Sequence, residues 1–284
     1  MNQPYILGIV LNLPQNLAYM TKPLILVTND DGIVAPGIKK LIEIARSIGT
    51  VVVVAPDSPQ SGQGHAITIE QPLKINKVHI FHDVEAYECT GTPVDCVKLA
   101  KTVILKDRKI DLCLSGINHG ANSSINIIYS GTMSAATEAV LEGIPSIGFS
   151  LLDYSFEANF DHAEPFLRQI ILFVLANPVQ PYTLLNVNIP YLERDQIKGV
   201  RICRQGNARW DEEYMEGKDP RGQSFYWLTG KFVSNDSSMD ADVFALENGY
   251  ISVVPARFDL TYYEIMPHFK SLETININKD VLEK

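Results

Sequence analysis

Two adjacent carboxylates dominate the chemistry on offer in this sequence. Asp30 and Asp31 stand in Asn29-Asp30-Asp31-Gly32, directly after the apolar run Leu24–Thr28. Neighbouring acids repel one another unless something neutralises them, and a hard divalent cation such as Mg²⁺ or Mn²⁺ does so through oxygen ligands. Gly32 permits the turn that brings both side chains together. The plain alternative is a solvated turn in which an Asp caps the next helix. Three more polar stretches carry suitable groups. Ser61-Gly62-Gln63-Gly64-His65 offers a hydroxyl for a hard metal, glycines for close backbone approach, and in His65 an imidazole that could contact a phosphate or donate a proton. A flexible surface loop explains the same residues. In Ser115-Gly116-Ile117-Asn118-His119-Gly120 the Asn118 amide oxygen is a suitable neutral ligand. His119 has no zinc-like spacing and reads as a neighbour of the ligands or as an exposed residue. Ser130-Gly131-Thr132 opens a helix, where unpaired N–H groups and a partial positive charge favour an anion. Ordinary capping by Ser130 or Thr132 is the alternative there. Asn29 is grouped with these phosphate-contacting residues. Thr90-Gly91-Thr92-Pro93-Val94-Asp95 is explained by a loop and a helix start.

These groups need a frame that gathers them. Leu24–Thr28 and Thr50–Ala55 are continuous apolar runs suited to strands buried on both faces. Asp111–Ser115, Ser146–Ser150 and Tyr182–Asn188 read as further strands. Ile38, Leu41, Ile42 and Ala45 recur at helical spacing, and Thr132–Glu142 and Ala163–Ala176 are helical. Pro93, with Thr92 as its cap, starts another helix. Strand–helix alternation predicts an α/β fold, Rossmann-like, with a mostly parallel sheet flanked by helices. Ligands in such sheets bind in the loops at the carboxyl ends of strands, which is where the polar stretches fall. Residues 22–190 read as the catalytic core. Residues 191–284, rich in Arg, Trp, Tyr and Gly around 200–235 before Tyr250–Val254 resumes as a strand, read as a β-rich or irregular extension used in subunit contact. Residues 1–21 read as an N-terminal extension outside the fold, either a genuine arm or the product of a start site upstream of Met20.

The 284-residue chain is 46% apolar and 20% charged, an ordinary globular composition, with a formal net charge of −9. That acidic balance argues against binding nucleic acid polymers, which takes a basic surface. It leaves room for a small phosphorylated substrate, because a bound cation reverses the local field. Cys89, Cys96, Cys113 and Cys203 show no C-x-x-C spacing, so reduced, buried thiols and a cytoplasmic setting are expected. The apolar stretch Tyr5–Leu11 has no preceding Lys or Arg and falls short of the roughly 20 residues of a membrane span. Neither a secretory signal nor a membrane partner is expected.

The order and wording of the motifs resemble the SurE survival-protein family. The likeness rests on LVTNDDGIVAPGI, VVAPDSPQSGQGHAIT, CTGTPVDCVKLA, DLCLSGINHGANSSINIIYSGT, LNVNIP and MDADVFALENGYISVVPARFDLT, and runs from about Lys22 to Leu260. It implies one divalent metal ion per subunit, Mg²⁺ or Mn²⁺, held by Asp30, Asp31, Ser61 and Asn118. It also implies phosphate contacts from Ser130, Gly131 and Thr132. Family members hydrolyse nucleoside 5′- and 3′-monophosphates, some cleave short polyphosphate, and they form dimers or tetramers through exchanged C-terminal segments. Two departures stand out. The first 19 residues have no counterpart in typical members, and Asn126 lies where many relatives carry acidic residues, so it cannot serve as a base.

The expected activity is therefore that of a metal-dependent 5′/3′-nucleotidase. Asp30 and Asp31 hold the metal, with one of them orienting or deprotonating water, and His65 is a candidate acid for the leaving group. Two rivals are a covalent aspartyl-phosphate route, disfavoured because the aspartates are adjacent rather than spaced Asp-x-Asp, and a nucleotide-binding regulatory module without turnover. A purely structural oligomer leaves four polar strand-end loops unexplained.

Overall fold

Strand β1 (Leu24–Thr28) alternates its apolar side chains between two buried faces. The computed structural model describes residues 22–155, 158–177 and 179–275, and the expected extension of residues 1–21 lies outside the described residues. Ile25 and Val27 pack toward helix α1 (Pro36–Arg46), whose Ile38, Leu41, Ile42 and Ala45 form one apolar stripe. Leu24 and Leu26 face the other way, into a second cluster. Both faces of the strand are dry, so it must lie in the middle of a covered sheet.

The chain continues through β2 (Thr50–Pro56), β3 (Ile75–Val78), β4 (Glu85–Cys89) and α2 (Pro93–Leu99). It then adds β5 (Leu112–His119), α3 (Gly131–Leu141), β6 (Ser146–Leu151), α4 (Glu164–Ala176) and β7 (Leu184–Ile189). Helices α1 and α4 cover one face, while Val97 of α2 and Ala135 and Ala139 of α3 fill the other. Beyond β7 come β8 (Val200–Ile202), the long hairpin β9 (Ala208–Lys218) and β10 (Ser224–Ser234), α5 (Asp242–Glu247) and β11 (Ile251–Ala256).

The main sheet has nine strands in the order β3-β4-β2-β1-β5-β6-β7-β11-β8. The pairs from β4 through β7 are parallel. Only β3 against β4 and β11 against β7 run antiparallel. The Rossmann-like α/β architecture expected from strand–helix alternation is therefore present. The sheet also reaches past residue 190, since β11 pairs with β7 through Ser252 opposite Asn188. No described helix is long and apolar enough to cross a membrane.

The order of the strands sets the position of the site. From β1 the chain builds outward to β2 and β4 on one side, then returns to lay β5, β6 and β7 on the other. The loops after β1 and β5 consequently part at their carboxyl ends and leave a crevice, as open α/β sheets do at the point where strand order reverses. The strand expected over Asp111–Ser115 is longer than that reading. It continues through Asn118 and His119, with a register shift against β6 between Ser115 and Asn118. Gly116, at φ +123°, takes the chain through that irregularity. Asn118 is thus carried on a strand rather than on a loop.

Candidate active site

Asp30 sits in the crevice, only 3% exposed, two residues beyond the end of β1. Its side chain meets the start of α3, where the Thr132 hydroxyl donates to its Oδ1. Gly131 makes that approach possible: a Cβ there would lie 2.7 Å from the Asp30 Cβ. No Lys or Arg forms an ion pair with Asp30 among the described residues. Burial, and then the charge of Asp31, push the Asp30 carboxyl up to about 6 from its ordinary 3.8.

Asp31 is oriented by His119, whose backbone N–H and ring Nδ1 each lie 3.3 Å from its Oδ2. The His119 ring stands edge-on to Phe160 at 5.2 Å between centroids. His119 is thus half-buried and braces a carboxylate; of the two sequence readings, the exposed one does not hold. Asn29 donates through Nδ2 to the Gly32 carbonyl at 2.9 Å and fixes the turn, while its own Oδ1 is buried without a partner.

Asn118 donates from its amide nitrogen to the Gly120 carbonyl at 2.8 Å and to the His119 carbonyl at 3.2 Å. Its amide oxygen is the end left for a ligand. Ser61 lines the same cleft as Asp30, Asn118 and Ser130. Two backbone bonds hold its exposed loop there: Gln60 N–H to the Asp30 carbonyl at 2.7 Å, and Gly64 N–H to the Tyr129 carbonyl at 3.2 Å. Ser130 caps α3 by accepting from the Met133 N–H at 3.0 Å, so its hydroxyl hydrogen is free for a ligand oxygen. Thr132 is fully buried with its hydroxyl spent on Asp30, and any phosphate contact from it falls to its backbone.

His65 does not join this group. Its Nε2 lies 2.9 Å from Glu138 Oε2 on α3, and Lys98 Nζ of α2 holds the other carboxylate oxygen at 2.5 Å. Burial alone would raise the Glu138 carboxyl, but the hydrogen bonds from His65 and Lys98 outweigh it and leave it below the usual range. The expected acid for the leaving group is therefore turned onto a helix, and it clamps the Ser61 loop rather than facing the cleft. The Thr92–Asp95 capping box serves the same loop: Asp95 accepts from the Thr68 hydroxyl at 2.6 Å, and the Thr92 hydroxyl donates to the Ala66 carbonyl at 2.7 Å.

The C-terminal half completes the cleft through residues that carried no sequence signal of their own. Ser124, at φ +52°, is pinned there because its N–H donates to the fully buried Asp242 carboxylate at 2.8 Å. Asp242 also accepts from the Gly206 N–H at 2.9 Å, and the Ala208 N–H donates to the Ser124 hydroxyl at 2.7 Å. This brings Trp210 of β9 to the cleft, where its indole N–H donates to Asn126 Oδ1 at 2.9 Å. Asn126 gives its own amide hydrogens to the Ala121 carbonyl at 3.2 Å, so both ends of the side chain are structural. Asn186 and Asn188 of β7 fix the same segment through the Asn122 backbone, each at 2.8 Å.

The donor set is two carboxylates with hydroxyl and amide oxygens, and no group of three or more His, Cys, Asp or Glu that could hold a metal occurs among the described residues. Such a set suits a hard cation and not zinc. A buried carboxylate without a cationic partner, beside a second acid and an orphaned amide oxygen, fits that requirement.

Because the Asp30 pKa is raised in the fold, its protonated form is the one the fold favours. The stability it confers is complete below about pH 4 and is lost as pH rises through about 6. We therefore expect Asp30→Asn, in EDTA at pH 7.5, to melt several degrees above the parent, a gain of up to about 3 kcal/mol. That gain should vanish near pH 4. Thermal melts across pH decide it, and a variant that melts no higher at pH 7.5 would contradict this reading of Asp30.

Comparison with known proteins agrees with this architecture. The family model described as "Survival protein SurE" matches residues 25–212. A protein of Flavobacterium psychrophilum named 5′-nucleotidase SurE is 56% identical over 261 residues, which is 92% of this chain and all of that protein. Its namesake from Bacteroides fragilis is 47% identical over 89% of this chain and 98% of its own length. The crystal structure of SurE from Aquifex aeolicus superposes with a TM-score of 0.77 at 42% identity, covering 88% of this chain and all of that one. On a match that spans most of the chain and relatives similar over nearly their whole length, the chain belongs to the SurE family.

Proposed function

We propose that this chain is a metal-dependent phosphomonoesterase that hydrolyses nucleoside 5′- and 3′-monophosphates, with short polyphosphate as a further substrate. The observation that carries the reading is Asp30: a buried, uncompensated carboxylate held against the first turn of α3, in one cleft with Ser130. Relatives named 5′-nucleotidase support the choice of substrate.

Asp30, Asp31, Ser61 and Asn118 are the residues that would hold a single Mg²⁺ or Mn²⁺. When bound, that cation supplies positive charge against the phosphoryl oxygens and acidifies water. The Ser130 hydroxyl and the N–H groups opening α3 orient the phosphoryl group and stabilise charge that grows on its oxygens. His119 keeps Asp31 in place for this work. Asp31, less buried than Asp30, is the better placed of the two to accept a proton from attacking water. A regulatory module that binds nucleotide without turnover would not need the paired carboxylates, and their presence favours the enzyme.

The same reading includes a homodimer or homotetramer built through the C-terminal extension, in a reduced cytoplasmic setting suited to four free, buried cysteines. The hairpin β9–β10 exposes Tyr214, Met215, Tyr226, Trp227 and Leu228 on its two faces, an apolar surface that a second copy would cover. Light scattering on the purified chain should give a mass of at least twice 31.6 kDa, and a monomer at micromolar concentration would refute the assembly.

Phosphate release from 5′- and 3′-nucleoside monophosphates tests the activity itself. Release should require Mg²⁺ or Mn²⁺, stop with EDTA, and fall by at least a hundredfold in Asp30→Asn, in line with removal of a principal charge from a phosphoryl-transfer site. A chain that binds nucleotide but releases no phosphate with either metal would instead be a regulatory module.

A further inference from the structure

The cleft changes character from floor to rim. Asp30, Asn118 and Ser130 make the floor polar, whereas Trp210 and Tyr154 present rings at the edge. The cleft offers about 210 Å³, less than the roughly 300–1,000 Å³ that swallows a drug-sized ligand. A nucleotide with its phosphate on the floor must therefore lay its remaining bulk along the rim. No Lys or Arg occurs among the described residues that line the cleft.

Trp210 is built into its position rather than draped there. The strand β9 carries it, Asn126 accepts its indole N–H at 2.9 Å, and the Phe232 ring of β10 packs against it at 5.6 Å between centroids. Yet the residue keeps 37% of its surface exposed. Tyr154 lies against Gly120, where a Cβ would come within 2.4 Å of its ring, so this glycine is what admits the tyrosine. A large aromatic held by a hydrogen bond and a ring contact, and still partly exposed in the same cleft as Ser130, is arranged to stack on a flat neutral partner.

Resting on the nucleotidase reading, we propose that Trp210 is a specificity-determining residue that stacks on the nucleobase, with Tyr154 closing the opposite side of the rim. The enzyme then selects nucleotides over base-less sugar phosphates through this platform. Asn126 is a positioning residue for it, holding the indole in place.

The test compares adenosine 5′-monophosphate with ribose 5-phosphate. Trp210→Ala should lower kcat/KM for the nucleotide by about tenfold, chiefly through KM, and leave ribose 5-phosphate within twofold. Trp210→Phe, which loses the indole N–H but keeps a ring, should retain most of the preference. An equal loss on both substrates would show a merely structural tryptophan and overturn the proposal. A second readout does not need turnover. The chain has two tryptophans, Trp210 and Trp227, so Trp227→Phe leaves Trp210 as the only indole emitter. Its fluorescence should be quenched saturably by adenosine 5′-monophosphate and not by ribose 5-phosphate. Quenching without hydrolysis would support the stack while removing the nucleotidase reading; hydrolysis without quenching would do the reverse.

Discussion

The fold is organised around one unfavourable act, the burial of the Asp30 carboxylate at the carboxyl end of the central strand. A charge taken out of water needs a partner, and none of the described Lys or Arg side chains pairs with it. What it supplies are dipoles. The Thr132 hydroxyl and the opening turn of α3 point at Asp30, and Gly131 has no side chain to keep them apart. The remaining imbalance appears as a raised carboxyl pKa. It is this uncompensated charge that the proposed cation would neutralise.

Once Asp30 is fixed, the neighbouring loops have little freedom. Its own backbone carbonyl accepts from Gln60 and ties the Ser61 loop to the cleft, and the clamp of Glu138 on His65 holds the far end of that loop. Asp31 is set by His119, which arrives on the extended end of β5 beside Asn118. In the C-terminal half the buried Asp242 carboxylate pins Ser124 and Gly206 and so helps carry Trp210 to the rim. Floor and rim thus come from distant parts of the chain, joined by hydrogen bonds that span from 30 to more than 100 residues.

The sequence made the parallel core legible because β1, β2, β6 and β7 are apolar runs buried on both faces, which leaves little choice of architecture. It was silent on β3 and β4, whose short segments alternate partly exposed polar residues and carry no apolar run. It cut β5 short because Gly116 reads as a strand end, while the ladder continues past it through a register shift. Among the site residues, Asp30, Ser61, Asn118 and Ser130 share one cleft. A histidine in a glycine-rich loop looks available, but His65 is paired with Glu138, 73 residues away, and no local pattern reveals the pair. Trp210 was missed for the same reason, its hydrogen bond to Asn126 spanning 84 residues. Long-range side-chain pairing is what a single sequence hides.

The most direct test of the central claim is calorimetric titration of Mn²⁺ into the metal-free protein at pH 6 and at pH 8, in buffers of different ionisation enthalpy. If Asp30 is the buried ligand described here, one Mn²⁺ binds per chain, and at pH 6 its uptake expels a fraction of a proton, because the carboxyl titrates at about 6. At pH 8 that release disappears, and in Asp30→Asn the binding itself is lost or greatly weakened. Stoichiometric Mn²⁺ binding that is indifferent to Asp30→Asn, or no binding at either pH, would contradict the account.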